Sequence, residues 1–413
     1  MRRSRASFPT RVATLCATLA LGVGCESTRP RAVSPSDGAP VAQAEGEHQE
    51  APPQVAPGAL PPAKGHSPWL SARVGDRVAY SFSAIRTPLG GARGTATAGV
   101  LALEVVAVEP SWVWLGLTFT DDAGAPLDLP RLSRPLVLPV RTNGTRPLEV
   151  TREGTQSTEQ PTAAGRTWEA KRYLRDNRPA DGPLENRLYA QDPGPAYLTN
   201  GLLDASTTLS GFGMGGSYQL TLVEARQGKE GGAGTRPGLE RPLGPGTWFD
   251  TRMDVDGTGP VTVARTCLGA ERGYVLRMAV PAPTPPDTAT CQDFSQAEVV
   301  PLEEALLSFI WESLETQTWP PAQQNATPPV RETMSVGAHK VPVLKFDAAE
   351  DAGTVKQIRT RLYADGPWEP ALNGLAVEVR FAPLDDTLYR TPARGKRESA
   401  GGVRLADWGT WLP

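Results

Sequence analysis

The sequence predicts a mainly β fold: two related antiparallel β-rich domains, sandwich-like or barrel-like, with one amphipathic helix in the second. Three observations lead there. Apolar residues alternate with period two through much of the chain after residue 67, two strings recur in the two halves, and a single segment shifts to helical spacing.

The alternation is clearest where Leu101, Leu103, Val105 and Ala107 form one row, Glu109-Pro110-Ser111 interrupts it, and Val113, Leu115, Leu117 and Phe119 resume it. Period two puts both rows on one face of an antiparallel pair and leaves Trp112 and Trp114 on the other, where a second layer would cover them. A second hairpin is expected from Val261, Val263 and Cys267, a turn at Gly269 to Gly273, and then Tyr274, Leu276, Met278 and Val280. Arg265 interrupts that row, so it either sits at an exposed strand end or pairs with an acid. Further strands are expected at 135–140, 168–174, 217–223, 341–346, 356–363 and 375–381.

The strings are RLYAQDPGPAYLTNGL at 187–202 and RLYADGPWEPALNGL at 361–375. Both open on Arg-Leu-Tyr-Ala and close on Asn-Gly-Leu, at Asn200 to Leu202 and Asn373 to Leu375, and Lys171 and Lys345 precede them at equal separation. VGDRVAYSFS at 74–83 and GTWFDTRMDV at 246–255 open the two halves in the same manner. A tandem duplication with a period of roughly 160 to 175 residues accounts for both similarities; chance likeness of short strings is the competing reading. The helix is expected where Leu302, Ala305, Leu306, Phe309, Ile310 and Leu314 recur among Glu303, Glu304, Glu312 and Glu315, with Pro301 at its start and acids in its first turn. It is expected to pack on the second domain; docking onto a partner is the alternative.

Before the first strand, Arg2, Arg3, Arg5 and Arg11 precede an uncharged 13-residue run from Val12 to Gly24. That run has the size and order of a secretory signal and is shorter than the roughly 17 to 25 apolar residues of a bilayer-spanning helix. It ends Leu21-Gly22-Val23-Gly24-Cys25, which resembles the lipobox of bacterial lipoproteins, with Gly22 where that motif usually has an aliphatic residue. The resemblance implies lipidation of Cys25 by acyl chains such as palmitate, and Glu26 after it implies sorting to the outer membrane. An ordinary cleaved signal, with Cys25 discarded, is the competing reading. Cys16 is the poorer acceptor, since Leu15 precedes it. Residues 26–67 hold eight prolines and no aromatic residue, a composition that cannot bury enough apolar area to offset its ordering entropy. As a random coil the spacer would reach roughly 32 to 39 Å. The expected organisation is therefore a signal peptide at 1–24, a lipid-anchored disordered spacer at 25–67, β-rich domains at 68–226 and 244–413, and a linker at 227–243.

After lipidation of Cys25, Cys267 and Cys291 remain as an even pair in an oxidising compartment, and a structural disulfide is expected; they lack the Cys-x-x-Cys spacing of a redox pair. Chemistry is harder to find. His48 and His66 fall in the spacer, which leaves His339, so no histidine cluster or HExxH is present and a Ser-His-Asp site would rest on His339 beside Lys340. Gly211, Gly213 and Gly216 fit G-x-G-x-x-G but precede SYQLTLV, a strand pattern, where a nucleotide site needs a helix. Asp250, Asp254 and Asp256 hint at calcium, yet Val263 stands where an EF-hand has its closing glutamate, and Asp256-Gly257 reads as a turn. The acid pairs Asp121-Asp122 and Asp385-Asp386 identify no glycosidase without a carboxylate separation. Dispersed basic residues and a net charge of −3 make nucleic acid a poor partner, and none is expected.

The lipobox, the acidic Pro/Ala spacer, VGDRVAYSFSA (74–84), RYLRDNRPADGPLENRLYA (172–190) and GFGMGG (211–216) together resemble uncharacterised envelope lipoproteins of myxobacteria. The resemblance implies a Gram-negative envelope setting and carries no activity. The function expected is a noncatalytic binding or structural module without a cofactor, held to the membrane through its lipid and facing an envelope protein or glycan. An extracytoplasmic enzyme using a carboxylate or serine and a secreted signalling or assembly component are the alternatives. An exposed aromatic face with Trp112, Trp114 or Trp368 would favour recognition; packing of these side chains is the plainer expectation.

Overall fold

The computed structural model describes residues 67–87, 96–129, 132–133, 135–144, 148, 151–211, 214–237, 246–255, 261–283, 291, 293–314, 326–352, 355–365, 384–391 and 398–412. The expected signal, nearly all of the spacer, Cys16, Cys25, His48, His66, Asp256, Trp368, the strand at 375–381 and the second Asn-Gly-Leu lie outside them.

The first half contributes β1 (Arg77–Thr87), β2 (Thr97–Glu109), β3 (Trp112–Thr120), β4 (Leu136–Arg141), β5 (Thr155–Glu159), the short pair β6 (Thr162–Ala163) and β7 (Arg166–Thr167), β8 (Ala170–Asp176), β9 (Leu184–Ala190), β10 (Leu202–Gly211) and β11 (Met214–Arg226). The second contributes β12 (Thr247–Val255), β13 (Thr262–Glu271), β14 (Tyr274–Pro281), β15 (Glu298–Pro301), the helix α1 (Leu302–Ser313), β16 (Val330–Val336), β17 (His339–Ala352), β18 (Val355–Ala364), β19 (Asp385–Thr391) and β20 (Glu398–Thr410). The fold is thus mainly β with one substantial helix, as the periodicities predict.

Across the hydrogen bonds the first half runs β4-β3-β2-β1-β11-β10-β9-β8-β5, every pair antiparallel. The second half runs β15-β14-β13-β12-β20-β19-β18-β17-β16 in the same manner. In each half the first strand pairs with the last. The two Arg-Leu-Tyr-Ala strings end β9 and β18, which hold the same place in the two orders. One parallel bridge, Glu271 to Arg141, links the halves, and neither run closes on itself among the described residues, so the barrel alternative falls away.

Register explains the core of the first half. Tyr80 lies opposite Leu101 and Leu101 opposite Phe119, while Val78, Leu103, Leu117 and Leu136 form the next rung. All these side chains are buried. The opposite face carries Trp114, also buried, with the Arg236 guanidinium 4.6 Å from its ring. The expected linker therefore lies against the sheet over its described part: Gly234 bridges Ala107, and Val108 N–H donates to Ala233. Trp112 packs against Trp411 at 6.0 Å. Both tryptophans are packing residues.

The helix lies where expected in sequence and meets β14 and β15 of the second half as expected, and it also reaches into the first half. Leu302, Ala305, Leu306, Leu307, Phe309, Ile310 and Leu314 join the buried cluster of β1 to β4, and the Phe309 ring sits 5.9 Å from Phe119. The second-half helix thus fills the first half's core. Helical spacing identifies the apolar side but not the sheet that receives it. The hairpin turn is also tighter than expected: Glu271 pairs with Tyr274 across Arg272 and Gly273, which puts Gly269 inside β13. A Cβ at Gly269 would come within 2.9 Å of the Phe294 ring. Arg265 takes the second of its two expected roles, fully buried with its Nε and Nη2 donating to Asp250 at 2.7 and 2.8 Å.

Candidate functional site

The face of the first sheet that is apolar on β1 to β4 becomes polar toward β8 and β9. Phe82 lies opposite Leu220, Leu220 opposite Ala205, and Ala205 opposite Arg187, so that the same face passes from an aromatic core residue to a guanidinium. Across the next pair Tyr173 lies opposite Arg187 and Arg175 opposite Glu185. Period two adds Tyr189 to this face, and its ring meets Tyr173 edge-on at 6.1 Å.

α1 brings acids to this polar end. Arg187 Nε donates to Glu304 Oε1 at 2.7 Å and Nη2 to Oε2 at 3.1 Å. Its Nη1 also donates to the carbonyls of Asn186 and Ser206 and to Thr207, and Nη2 to the Tyr218 hydroxyl. A two-pronged guanidinium–carboxylate contact fixes direction as well as charge, so this pair orients the first helical turn. Glu303 lies deeper. Its side chain is 1% exposed, Asn200 Nδ2 donates to Oε2 at 2.8 Å, and Oε1 accepts no hydrogen bond. Burial pushes its carboxyl up to about 7, with the positive Arg152 pulling it back and the negative Glu304 adding to the rise.

Asn200 also donates to the Gly273 carbonyl at 2.9 Å, and Gly273 accepts from Leu302 N–H at the same distance. A single side chain of the first Asn-Gly-Leu string thereby holds both the β13–β14 turn and the helix start. Gly273 has φ +86°, and a Cβ there would meet Asn200 Oδ1 at 2.8 Å, so both backbone and space call for glycine.

Between these groups lies a cleft of about 430 Å³ lined by Thr151, Arg152 and Glu153 before β5, Tyr173 and Arg175 of β8, Glu185, Arg187 and Tyr189 of β9, and Pro301 and Glu304. Its arginines and acids alternate. Arg175 stands 3.4 Å from Glu153 and 3.8 Å from Glu185, and Arg187 stands 3.7 Å from Glu185. The Arg152 guanidinium lies 3.7 Å from the centre of the Tyr189 ring and 3.6 Å from Glu303 Oε1. Glu303, the acid with the raised proton affinity, is not among the cleft-lining residues; it is sealed beneath the wall.

Of the residues marked in the sequence, Cys267 and Cys291 form a disulfide across a sequence separation of 24 and belong to a cluster with Trp248, Phe294 and Trp411 rather than to the cleft. His339 is exposed and stacks on Trp408 at 4.3 Å. Asp250 is occupied by Arg265, and Asp254 accepts from Ser399. Among the described residues no group of histidines, cysteines or acids could hold a metal, and no helix is long and apolar enough to cross a membrane. Gly211 ends β10 and Gly216 lies in β11, a strand-to-strand connection. Asp121 accepts from Ala123 and Ala125 N–H in a turn, and Asp386 pairs with Arg359 and Arg361. Sequence reading missed Arg152 altogether and carried Arg175 and Glu185 only inside the string at 172–190, with no role. It marked Arg187 and Tyr189 as parts of a repeat and Glu303 and Glu304 as helix-start acids without joining the two. The available signal was Glu185-x-Arg187-x-Tyr189, a polar period-two row inside a buried strand.

Among protein-family models, one described as "Family of unknown function (DUF6068)" matches residues 5–413. No curated protein matches the chain.

Proposed function

The chain belongs to the DUF6068 family of unknown function, and we propose that it is a noncatalytic binding module of the bacterial envelope, anchored through a lipid on Cys25 and built from two related β-rich domains. Recognition is favoured over turnover by one observation: the cleft beside α1 is walled by arginines and acids that already face one another, with the proton-retentive Glu303 sealed beneath it. A hydrolase working by general acid catalysis would present its proton-holding carboxyl to the substrate. The matching strand orders and matched Arg-Leu-Tyr-Ala strings support two related domains at 68–226 and 244–413. The basic n-region, short apolar run and Pro-rich spacer support the anchored address, the myxobacterial lipoprotein resemblance favours a Gram-negative envelope, and Glu26 after the cysteine favours the outer membrane.

The address is tested by fractionation and mass analysis of wild type and Cys25→Ser: an N-terminus without acyl mass in the wild type would overturn it. The binding reading is tested by incubating the full chain with a low-molecular-mass envelope extract, followed by native mass spectrometry. Retention of an intact compound is expected; conversion of that compound, or retention of none, would overturn the reading.

A further inference from the structure

We infer that the cleft receives the carboxylate of a zwitterionic small ligand, an amino acid or the end of a short peptide, on Arg152, with Glu153 and Glu185 toward the ligand's cationic group. The inference rests on the binding reading above and names the ligand class.

The arginines of the cleft differ in how far their donors are committed. Arg187 is saturated by Glu304, Thr207, Tyr218 and backbone carbonyls. Arg152 is less committed: Glu303 Oε1 lies 3.6 Å away, outside hydrogen-bond reach, and its other neighbours are Tyr189, whose ring it covers and whose hydroxyl draws on one of its donors, and Tyr274. Yet the Arg152 side chain is only 15% exposed, and what it exposes lines the cleft. A mostly desolvated guanidinium with donors to spare is a strong carboxylate receptor. Glu153 and Glu185 meet Arg175 at 3.4 and 3.8 Å, longer than the 2.7 to 2.9 Å of a charge-assisted hydrogen bond, so both retain acceptor capacity for an ammonium group.

Charge balance selects the class. Arg152, Arg175 and Arg187 oppose Glu153, Glu185 and Glu304 around the lining, and a zwitterion leaves that balance unchanged. A phosphate dianion would add charge beside Glu303 and Glu304. The volume, about 430 Å³, falls in the usual range of small-ligand sites.

The probes are dialanine, its C-terminal amide and inorganic phosphate, titrated calorimetrically into the full chain. Dialanine is expected to bind, with affinity lower by about tenfold or more for the amide and for Arg152→Gln, the loss typical of one charged hydrogen bond, and by less for Arg152→Lys. Equal binding of the amide, undiminished binding to a folded Arg152→Gln variant, tighter binding of phosphate, or no binding of dialanine would each overturn the inference. The comparison of dialanine with its amide uses wild type and decides the matter even if Arg152→Gln does not fold. Where dialanine fails but an envelope compound is still retained, the ligand class falls and the binding reading stands; where both fail, both fall.

Discussion

At Glu303 burial opposes ionisation, and the nearby Arg152 compensates only in part. Its folded proton affinity is raised from the ordinary 4.5 to about 7. A raised folded value means that the folded state holds a proton the unfolded state has released, so the stabilisation is full below the unfolded value and is lost as pH rises through about 7. Wild type is therefore expected to lose stability between pH 5 and pH 8, by on the order of 2 to 3 kcal/mol from this group. Glu303→Gln, always neutral, should lose less over the same range in urea titrations; parallel losses in the two proteins would show that another group is responsible. A second residue tests a different balance. Asp250 and Arg265 are both buried, and removing one charge of such a pair costs more than the pair itself contributes. Asp250→Asn should destabilise by about 3 to 5 kcal/mol, read from the denaturation midpoint. In sequence Arg265 was legible as an interruption of an apolar row but not as a buried ion. Its partner Asp250 lies directly opposite on β12, and that register is a tertiary fact.

Among the elements, strands were the most legible because a half-buried strand writes its burial into alternate positions, as Leu101, Leu103 and Val105 do. α1 was legible as a helix and as a neighbour of its own half, but not as a neighbour of the other. Its spacing was correct, but nothing in Leu302 to Leu314 states that Phe309 will meet Phe119 of the other half. The salt bridge from Arg187 to Glu304 supplies that direction, across a separation of 117 residues. Phe309 is almost wholly buried, so Phe309→Ala should cost about 3 to 5 kcal/mol. The loss should appear as faster amide exchange in β2 and β3 as well as in the helix; exchange confined to β14 and β15 would contradict this packing. The disulfide behaves differently, because Cys267 and Cys291 staple a local segment beside Phe294 and Trp411. Replacing both with serine should cost roughly 3 to 3.5 kcal/mol by loop entropy, detected as a lower thermal midpoint under oxidising conditions that is matched by reduced wild type.

For the whole molecule, the repeated strings made the order of strands partly legible, whereas the exchange of a helix between halves was not, since a repeat predicts like contacts within like units. That exchange governs cooperativity. Leu302, Leu306, Phe309 and Ile310 share one buried cluster with Tyr80, Leu103 and Leu117, and Asn200 joins the helix start to the β13–β14 turn. The described residues of both halves belong to one compact unit, so neither half can lose its packing without exposing apolar surface of the other. The full chain should therefore unfold in a single transition, with calorimetric and van't Hoff enthalpies in agreement. A fragment spanning 68–226 should lack the side chains that fill its core and expose apolar surface that binds a fluorescent hydrophobic dye. Adding a peptide covering 298–314 should suppress the dye signal and restore protection of β2 and β3, while a peptide carrying Glu304→Lys should do so more weakly because it meets Arg187 with like charge. Two separate thermal transitions in the full chain, or a fragment 68–226 that is fully protected without the peptide, would show that the helix is an accessory to the first half rather than part of its core.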